Sequence, residues 1–134
     1  MSGVKEPLRR ILLVEDDPDI QTIAKASLES VGGFEVRVCG QAEKAVREAA
    51  EFLPQMILLD IMMPVMDGPM VLRALKKHDA CRGIPVVFMT AKVQDEDTGL
   101  FKDQEIAGVI GKPFDPMTLS RTVNALWERF QSKK

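Results

Sequence analysis

Asp60 follows the apolar run Met56-Ile57-Leu58-Leu59, and Glu15-Asp16-Asp17 follows another, Ile11-Leu12-Leu13-Val14. A third run, Val86 to Met89, ends in Thr90, and a fourth, Ile106 to Ile110, leads into Gly111-Lys112-Pro113. A carboxylate that closes a buried segment must meet water, a cation or a reacting group, because burying it unpaired is too costly. Carboxylates brought face to face repel by about 1–4 kcal/mol per close pair. A raised pKa or a bound divalent cation relieves that repulsion. Glu15, Asp16 and Asp60 offer only oxygen, with no His or Cys among them. Such a set suits a hard ion, Mg²⁺ or Mn²⁺, that keeps water and accepts phosphate oxygens. Thr90 adds a hydroxyl and Lys112 an ammonium, so the group has the parts to neutralise a transferring phosphoryl group. With Asp60 as nucleophile, the product is an aspartyl phosphate.

Each part also has a plainer reading. Glu15-Asp16-Asp17 can cap a helix and favour its dipole, and Asp17 is expected to do only that. Lys112-Pro113 can be a turn. Met62, Met63 and Met66 are expected to pack a loop, and His78 to sit in solvent. What favours chemistry is the combination: four polar endings on four successive apolar segments.

Those segments must be strands for the endings to meet. Five short apolar runs, near Ile11–Val14, Phe34–Cys39, Met56–Leu59, Ile84–Met89 and Ile106–Ile110, read as continuous rather than alternating. This suits a parallel sheet covered on both faces. Between them the apolar period becomes helical. Asp17-Pro18 opens a first helix that Gly32-Gly33 ends. A second runs from Ala42 to Leu53 and stops at Pro54, and Asp67-Gly68-Pro69 opens a third. Residues 92–104 make a poorer helix, with a sparse apolar face and the acidic cluster Asp95-Glu96-Asp97. Asp115-Pro116 is expected to open the last helix by the device of the first. Alternating strand and helix is the pattern of a doubly wound α/β domain, and every connection is long enough for a right-handed crossover. Ligands of such sheets lie outside the carboxyl ends of the strands, which would gather Glu15, Asp16, Asp60, Thr90 and Lys112.

At 134 residues and 46% hydrophobic content, the chain fits one domain with a real core. A net charge of −2 offers no attraction to nucleic acid or an anionic membrane. No apolar stretch approaches the roughly 20 residues of a membrane span, and the amino terminus carries no secretion signal. Cys39 and Cys81 are far apart in sequence and read as two reduced thiols of a cytoplasmic protein.

The motifs resemble the receiver domain of two-component response regulators, of the single-domain type. Ile11 to Pro18 resembles that family's first strand and acidic pair. Leu58-Leu59-Asp60-Ile61-Met62-Met63-Pro64-Val65-Met66-Asp67-Gly68 is similar to its phosphoacceptor loop, and Thr90-Ala91 and Lys112-Pro113-Phe114 match its switch hydroxyl and lysine. The resemblance implies a flavodoxin-like sandwich of five strand–helix units, sheet order 2-1-3-4-5, over residues 8–131, with 1–7 and 132–134 as short termini. It implies a signalling phosphoacceptor rather than an enzyme on an external substrate: Asp60 takes a phosphoryl group from phosphohistidine on a sensor histidine kinase or phosphotransfer protein. Activity is then limited to self-phosphotransfer and autodephosphorylation. Asp16, Asp60 and the backbone carbonyl of Met62 would bind Mg²⁺ directly and Glu15 through water, while Thr90 and Lys112 would hold phosphoryl oxygens. The Lys112–Pro113 bond is expected to be cis. Phosphorylation would reshape the surface of residues 92–104, the fifth strand and the last helix, for an unidentified protein partner, in a monomer or a phosphorylation-dependent dimer. No direct nucleic-acid or membrane contact is expected.

One departure stands out. Val109 occupies the place of an aromatic residue usual in the family, three positions before the lysine, so output is expected to rely on backbone movement around residues 90–92. An alternative is a pseudo-receiver that binds proteins without taking phosphate. A phosphatase of the haloacid dehalogenase type would need a second acid where Met62 stands, and a flavodoxin would need an uncharged phosphate loop where Glu15-Asp16-Asp17 stands.

Overall fold

A computed structural model describes residues 6–91 and 106–133. The apolar runs form the strands β1 (Arg10–Val14), β2 (Glu35–Cys39), β3 (Met56–Asp60), β4 (Val86–Thr90) and β5 (Gly108–Gly111). All neighbours pair parallel, in the order β2-β1-β3-β4-β5. The doubly wound reading and its strand order are therefore correct. β4 begins after Pro85 rather than at Ile84, because proline has no amide to give the ladder.

The helices are α1 (Pro18–Ser30), α2 (Ala45–Phe52), α3 (Gly68–Lys77) and α4 (Leu119–Ser132), with a 3₁₀ turn (Ala42–Lys44) leading into α2. The expected helix at residues 92–104 lies outside the described residues. Asp17 and Asp67 cap α1 and α3 through their side chains, each followed by an early proline, as their sequences require. The last helix differs. Asp115 does not cap it; its side chain accepts from the Met117 amide at 2.9 Å, and α4 starts only at Leu119. Across the layer the Ser27 hydroxyl donates to the Pro116 carbonyl.

Successive residues of each strand face opposite layers. Ile11, Leu13, Leu58 and Met89 join α1 and α4 in one core, while Leu12, Val14, Leu59 and Phe88 join α2 and α3 in the other. Burying each such side chain contributes about 1.5–3 kcal/mol. α1 and α4 approach through small residues: a methyl group on Gly32 would lie 2.5 Å from Ser120 Oγ and 2.8 Å from the Leu28 carbonyl.

The end of the sheet away from the strand carboxyl termini is tied down by polar contacts. Gln55 Oε1 accepts from the Arg9 and Arg10 amides at 2.6 and 2.9 Å, and its Nε2 donates to the Pro7 carbonyl at 2.9 Å. Trp127 Nε1 donates to the Glu6 carbonyl at 2.8 Å. The Arg10 and Arg37 guanidinium groups lie 5.6 and 5.5 Å from the Phe52 ring centre.

Candidate functional site

β1 and β3 are central strands, so the residues that close them emerge side by side at one end of the sheet. Glu15 continues the ladder beyond β1, its amide donating to the Cys39 carbonyl at 3.0 Å. Its side chain is only 1% exposed and accepts from the Asp17 amide at 3.1 Å. Gln21 Nε2 donates to the Glu15 carbonyl at 2.5 Å and so ties α1 to this turn. Asp16 is exposed beside them, and Asp17 is spent on the helix cap, as expected.

Asp60 ends β3 and is buried. Its Oδ1 accepts from the Met62 amide at 3.2 Å, while the Ile61 amide continues the ladder to the Met89 carbonyl at 3.1 Å. The loop then doubles back, with the Gly68 amide donating to the Ile61 carbonyl at 2.8 Å; a methyl group on Gly68 would sit 2.9 Å from Ile61 Cα. Within this loop Val65 takes φ 75°, and the Met66 amide donates to the Pro64 carbonyl at 2.9 Å, closing a γ-turn on a β-branched residue. Such a turn stores strain of about 1–3 kcal/mol and is held by its surroundings.

Thr90 closes β4, is buried, and is paired with Gly111; its carbonyl accepts from the Lys112 amide at 2.8 Å. Lys112 follows β5, before a cis bond to Pro113. Its Nζ lies 3.1 Å from Glu15 Oε1 and 3.3 Å from Asp60 Oδ1. Carboxylate oxygens of Glu15, Asp16 and Asp60 all lie within 4.8 Å of one another. Glu15, Asp16, Asp60 and Lys112 thus come together around an open cleft of about 500 Å³ that Met62 and Ala91 also line, while Thr90 closes the strand beside that of Asp60.

The electrostatics follow from this crowding. Burial raises the Glu15 pKa, and the Asp60 carboxylate raises it further, against the opposing pull of the Asp17 amide and Lys112. Burial alone would lower the Lys112 pKa, but its bond to Glu15 and the field of Asp60 win, and the net shift is upward. Lys112 therefore stays an ammonium and partly neutralises the acids. Among the described residues one cation, Lys112, faces the three acids, and the excess negative charge on oxygen donors fits a hard divalent ion.

Val109 pairs with Phe88 and packs against the core that covers α2 and α3. His78 is exposed, its Nδ1 accepting from the Ala80 amide at 3.2 Å, in line with its solvated reading. Met63 is buried, Met66 partly so, and Met62 stands exposed at the cleft, so loop packing accounts for only part of that trio. Gln21 had no signal in sequence, since its part depends on how α1 lies against the turn after β1.

A doubly wound sheet with a strand-end acid cleft and a lysine from the last strand defines a narrow class of protein. Residues 11–124 match the model of the response regulator receiver domain. The chain belongs to the response regulator receiver family. It is 34% identical over 127 residues to response regulator Rre1 of Synechocystis, covering 95% of this chain and 54% of that one. It is 35% identical over 121 residues to the DNA-binding response regulator MtrA of Mycolicibacterium smegmatis, covering 90% of this chain and 51% of that one. The chain spans about half the length of these curated relatives. Among solved structures it is similar to Vibrio cholerae chemotaxis protein CheY4, with TM-score 0.80, 25% identity, and 89% and 98% of the two chains covered. It is also similar to the receiver domain of sensor histidine kinase PA1611 from Pseudomonas aeruginosa, which has a magnesium ion coordinated in its active site cleft. That likeness has TM-score 0.78 and 30% identity, over 90% of this chain and 98% of the other.

Proposed function

We propose that Asp60 is a phosphoacceptor that takes a phosphoryl group from phosphohistidine on a sensor histidine kinase or phosphotransfer protein. The observation that carries this reading is the cluster itself: three carboxylates within 4.8 Å, with Lys112 Nζ within 3.3 Å of two of them. An Asp60 oxygen forms the new O–P bond while the P–N bond of the donor breaks and the electron pair leaves with the imidazole. Lys112 exchanges its contact with Asp60 for one with a phosphoryl oxygen, and the Thr90 hydroxyl donates to another. Asp16, Asp60 and the Met62 carbonyl would hold Mg²⁺ directly and Glu15 through water. When bound, the ion supplies positive charge against the phosphoryl oxygens. The oxygen-only donors and the magnesium in the cleft of the Pseudomonas neighbour support this choice.

The domain is read as residues 8–131, cytoplasmic, acting by signalling rather than by turnover of an external substrate. No described helix is long and apolar enough to cross a membrane. From MtrA we extend to this chain only the receiver portion. Its net charge of −2 supports a protein rather than nucleic acid as the direct partner of its switched surface.

Mass spectrometry after treatment with acetyl phosphate and Mg²⁺ tests the proposal. A labile phosphoryl adduct on Asp60, lost with Mg²⁺ removed and in Asp60→Asn, is expected. An unmodified protein, or an adduct elsewhere, overturns it in favour of a receiver that binds partners without phosphate.

A further inference from the structure

The three acids of the cleft are not held alike. Glu15 accepts from the Asp17 amide and from Lys112, and Asp60 accepts from the Met62 amide and faces the same lysine. Asp16 is exposed, and among the described residues its carboxylate has no hydrogen bond or ion pair. Its place therefore follows from its backbone. That backbone is pinned at three points. The Glu15 amide donates to the Cys39 carbonyl at 3.0 Å, the Glu15 carbonyl accepts from Gln21 Nε2 at 2.5 Å, and the Asp17 amide donates to Glu15 Oε2 at 3.1 Å. The middle bond is made to the peptide that joins Glu15 to Asp16. A peptide unit is planar, so orienting its oxygen also orients the amide and Cα of Asp16.

Neighbouring residues support this bond from both sides. Gln21 lies in the first turn of α1, half-buried, with its own amide donating to the Asp17 carbonyl at 2.9 Å, so the root of its side chain is fixed. Opposite it, β2 ends at Cys39 and Gly40 follows. A methyl group on Gly40 would lie 3.2 Å from Gln21 Nε2 and 3.9 Å from the Glu15 carbonyl oxygen. Gly40 is not in the left-handed region, so its missing side chain supplies space rather than conformational freedom.

We propose that Gln21 is a positioning residue for the metal: it holds the Glu15–Asp16 peptide so that the Asp16 carboxylate meets a divalent ion ready-placed beside Asp60, and Gly40 leaves room for it to do so. The proposal rests on the phosphoacceptor reading above and adds residues that act on the ion without touching it. Without the Gln21 bond, the ion must order the Asp16 turn as it binds, and that ordering subtracts from affinity.

Calorimetric titration of the whole, unphosphorylated chain with Mg²⁺ tests this. Gln21→Met keeps the length of the side chain and removes the donor; it is expected to weaken Mg²⁺ binding about three- to tenfold, the effect of one hydrogen bond. Gly40→Ala should weaken it in the same direction, and the double variant should bind no more weakly than Gln21→Met, since both changes break one contact. The rate of phosphorylation by acetyl phosphate should need more Mg²⁺ for half-saturation in Gln21→Met yet reach the same maximum. Unchanged Mg²⁺ affinity in Gln21→Met, with or without a lower urea midpoint, overturns the proposal and leaves the phosphoacceptor reading standing. Fully additive losses in the double variant overturn the part given to Gly40. An unaltered chain that neither binds Mg²⁺ nor takes a phosphoryl group removes both readings.

Discussion

Lys112 holds the resting site together, with Glu15 on one side and Asp60 on the other. A divalent ion in the same cleft would compete for those carboxylates, so lysine and metal would act as alternative counter-charges. Removing the ammonium leaves the buried carboxylates of Glu15 and Asp60 without it, and Lys112→Ala is expected to cost about 1–3 kcal/mol without metal. Mg²⁺ should then raise the thermal midpoint of Lys112→Ala more than that of the unaltered chain. A ligand at 100 times its dissociation constant stabilises by about 2.7 kcal/mol, so calorimetry with and without Mg²⁺ resolves the difference. Asp16→Asn should lose most of the Mg²⁺ response; an undiminished shift would exclude Asp16 from the metal site. At this scale the sequence was unusually readable. Acidic, hydroxyl and amine groups that end apolar runs have few uses, and their order along the chain left little choice. Unreadable were the partners that depend on three-dimensional reach, such as Gln21 bonding to the Glu15 carbonyl across the turn.

Among the elements, α1 and α2 end by the same device with different residues. Both use a left-handed residue whose amide bonds the carbonyl four residues back: Gly33 to Glu29 at 3.1 Å and Leu53 to Ala49 at 2.8 Å. Gly33 (φ 72°) adopts this conformation freely, but Leu53 (φ 51°) pays a steric penalty for it. Leu53→Gly is expected to stabilise the protein by about 0.5–1 kcal/mol, measured by urea denaturation. Gly32 serves closeness rather than conformation. Its missing side chain admits Ser120 and Phe34, so Gly32→Ala should cost about 1–3 kcal/mol in the same measurement. Sequence showed a glycine pair as a helix stop but not that the two have separate reasons. It also placed the start of α4 too early, because the Asp115 side chain closes a turn on the Met117 amide before the helix begins at Leu119.

Taken whole, the molecule keeps its thiols inside one of its two cores. Cys39 and Cys81 are both buried, with pKa values raised by burial above the ordinary thiol value of 9.0. Neither should react with an aromatic disulfide reagent near neutral pH until denaturant is added. The sign of the pH effect is fixed: above 9.0 the unfolded chain ionises its thiols before the folded one, so stability falls as pH rises through that window. A Cys39→Ala, Cys81→Ala double variant should lose less of its own stability between neutral and strongly alkaline pH. The layered fold was legible because continuous apolar strands and amphipathic helices admit few arrangements. Exact strand limits were not, since proline placement and ladder partners set them.

Trp127, the sole tryptophan, bonds to Glu6 at the pole farthest from the acid cleft. Its emission will register loss of the fold and any rearrangement of α4, on which it sits, but not contacts made in the cleft itself. Workers who follow the cleft by light will need a dye or an added indole near its mouth.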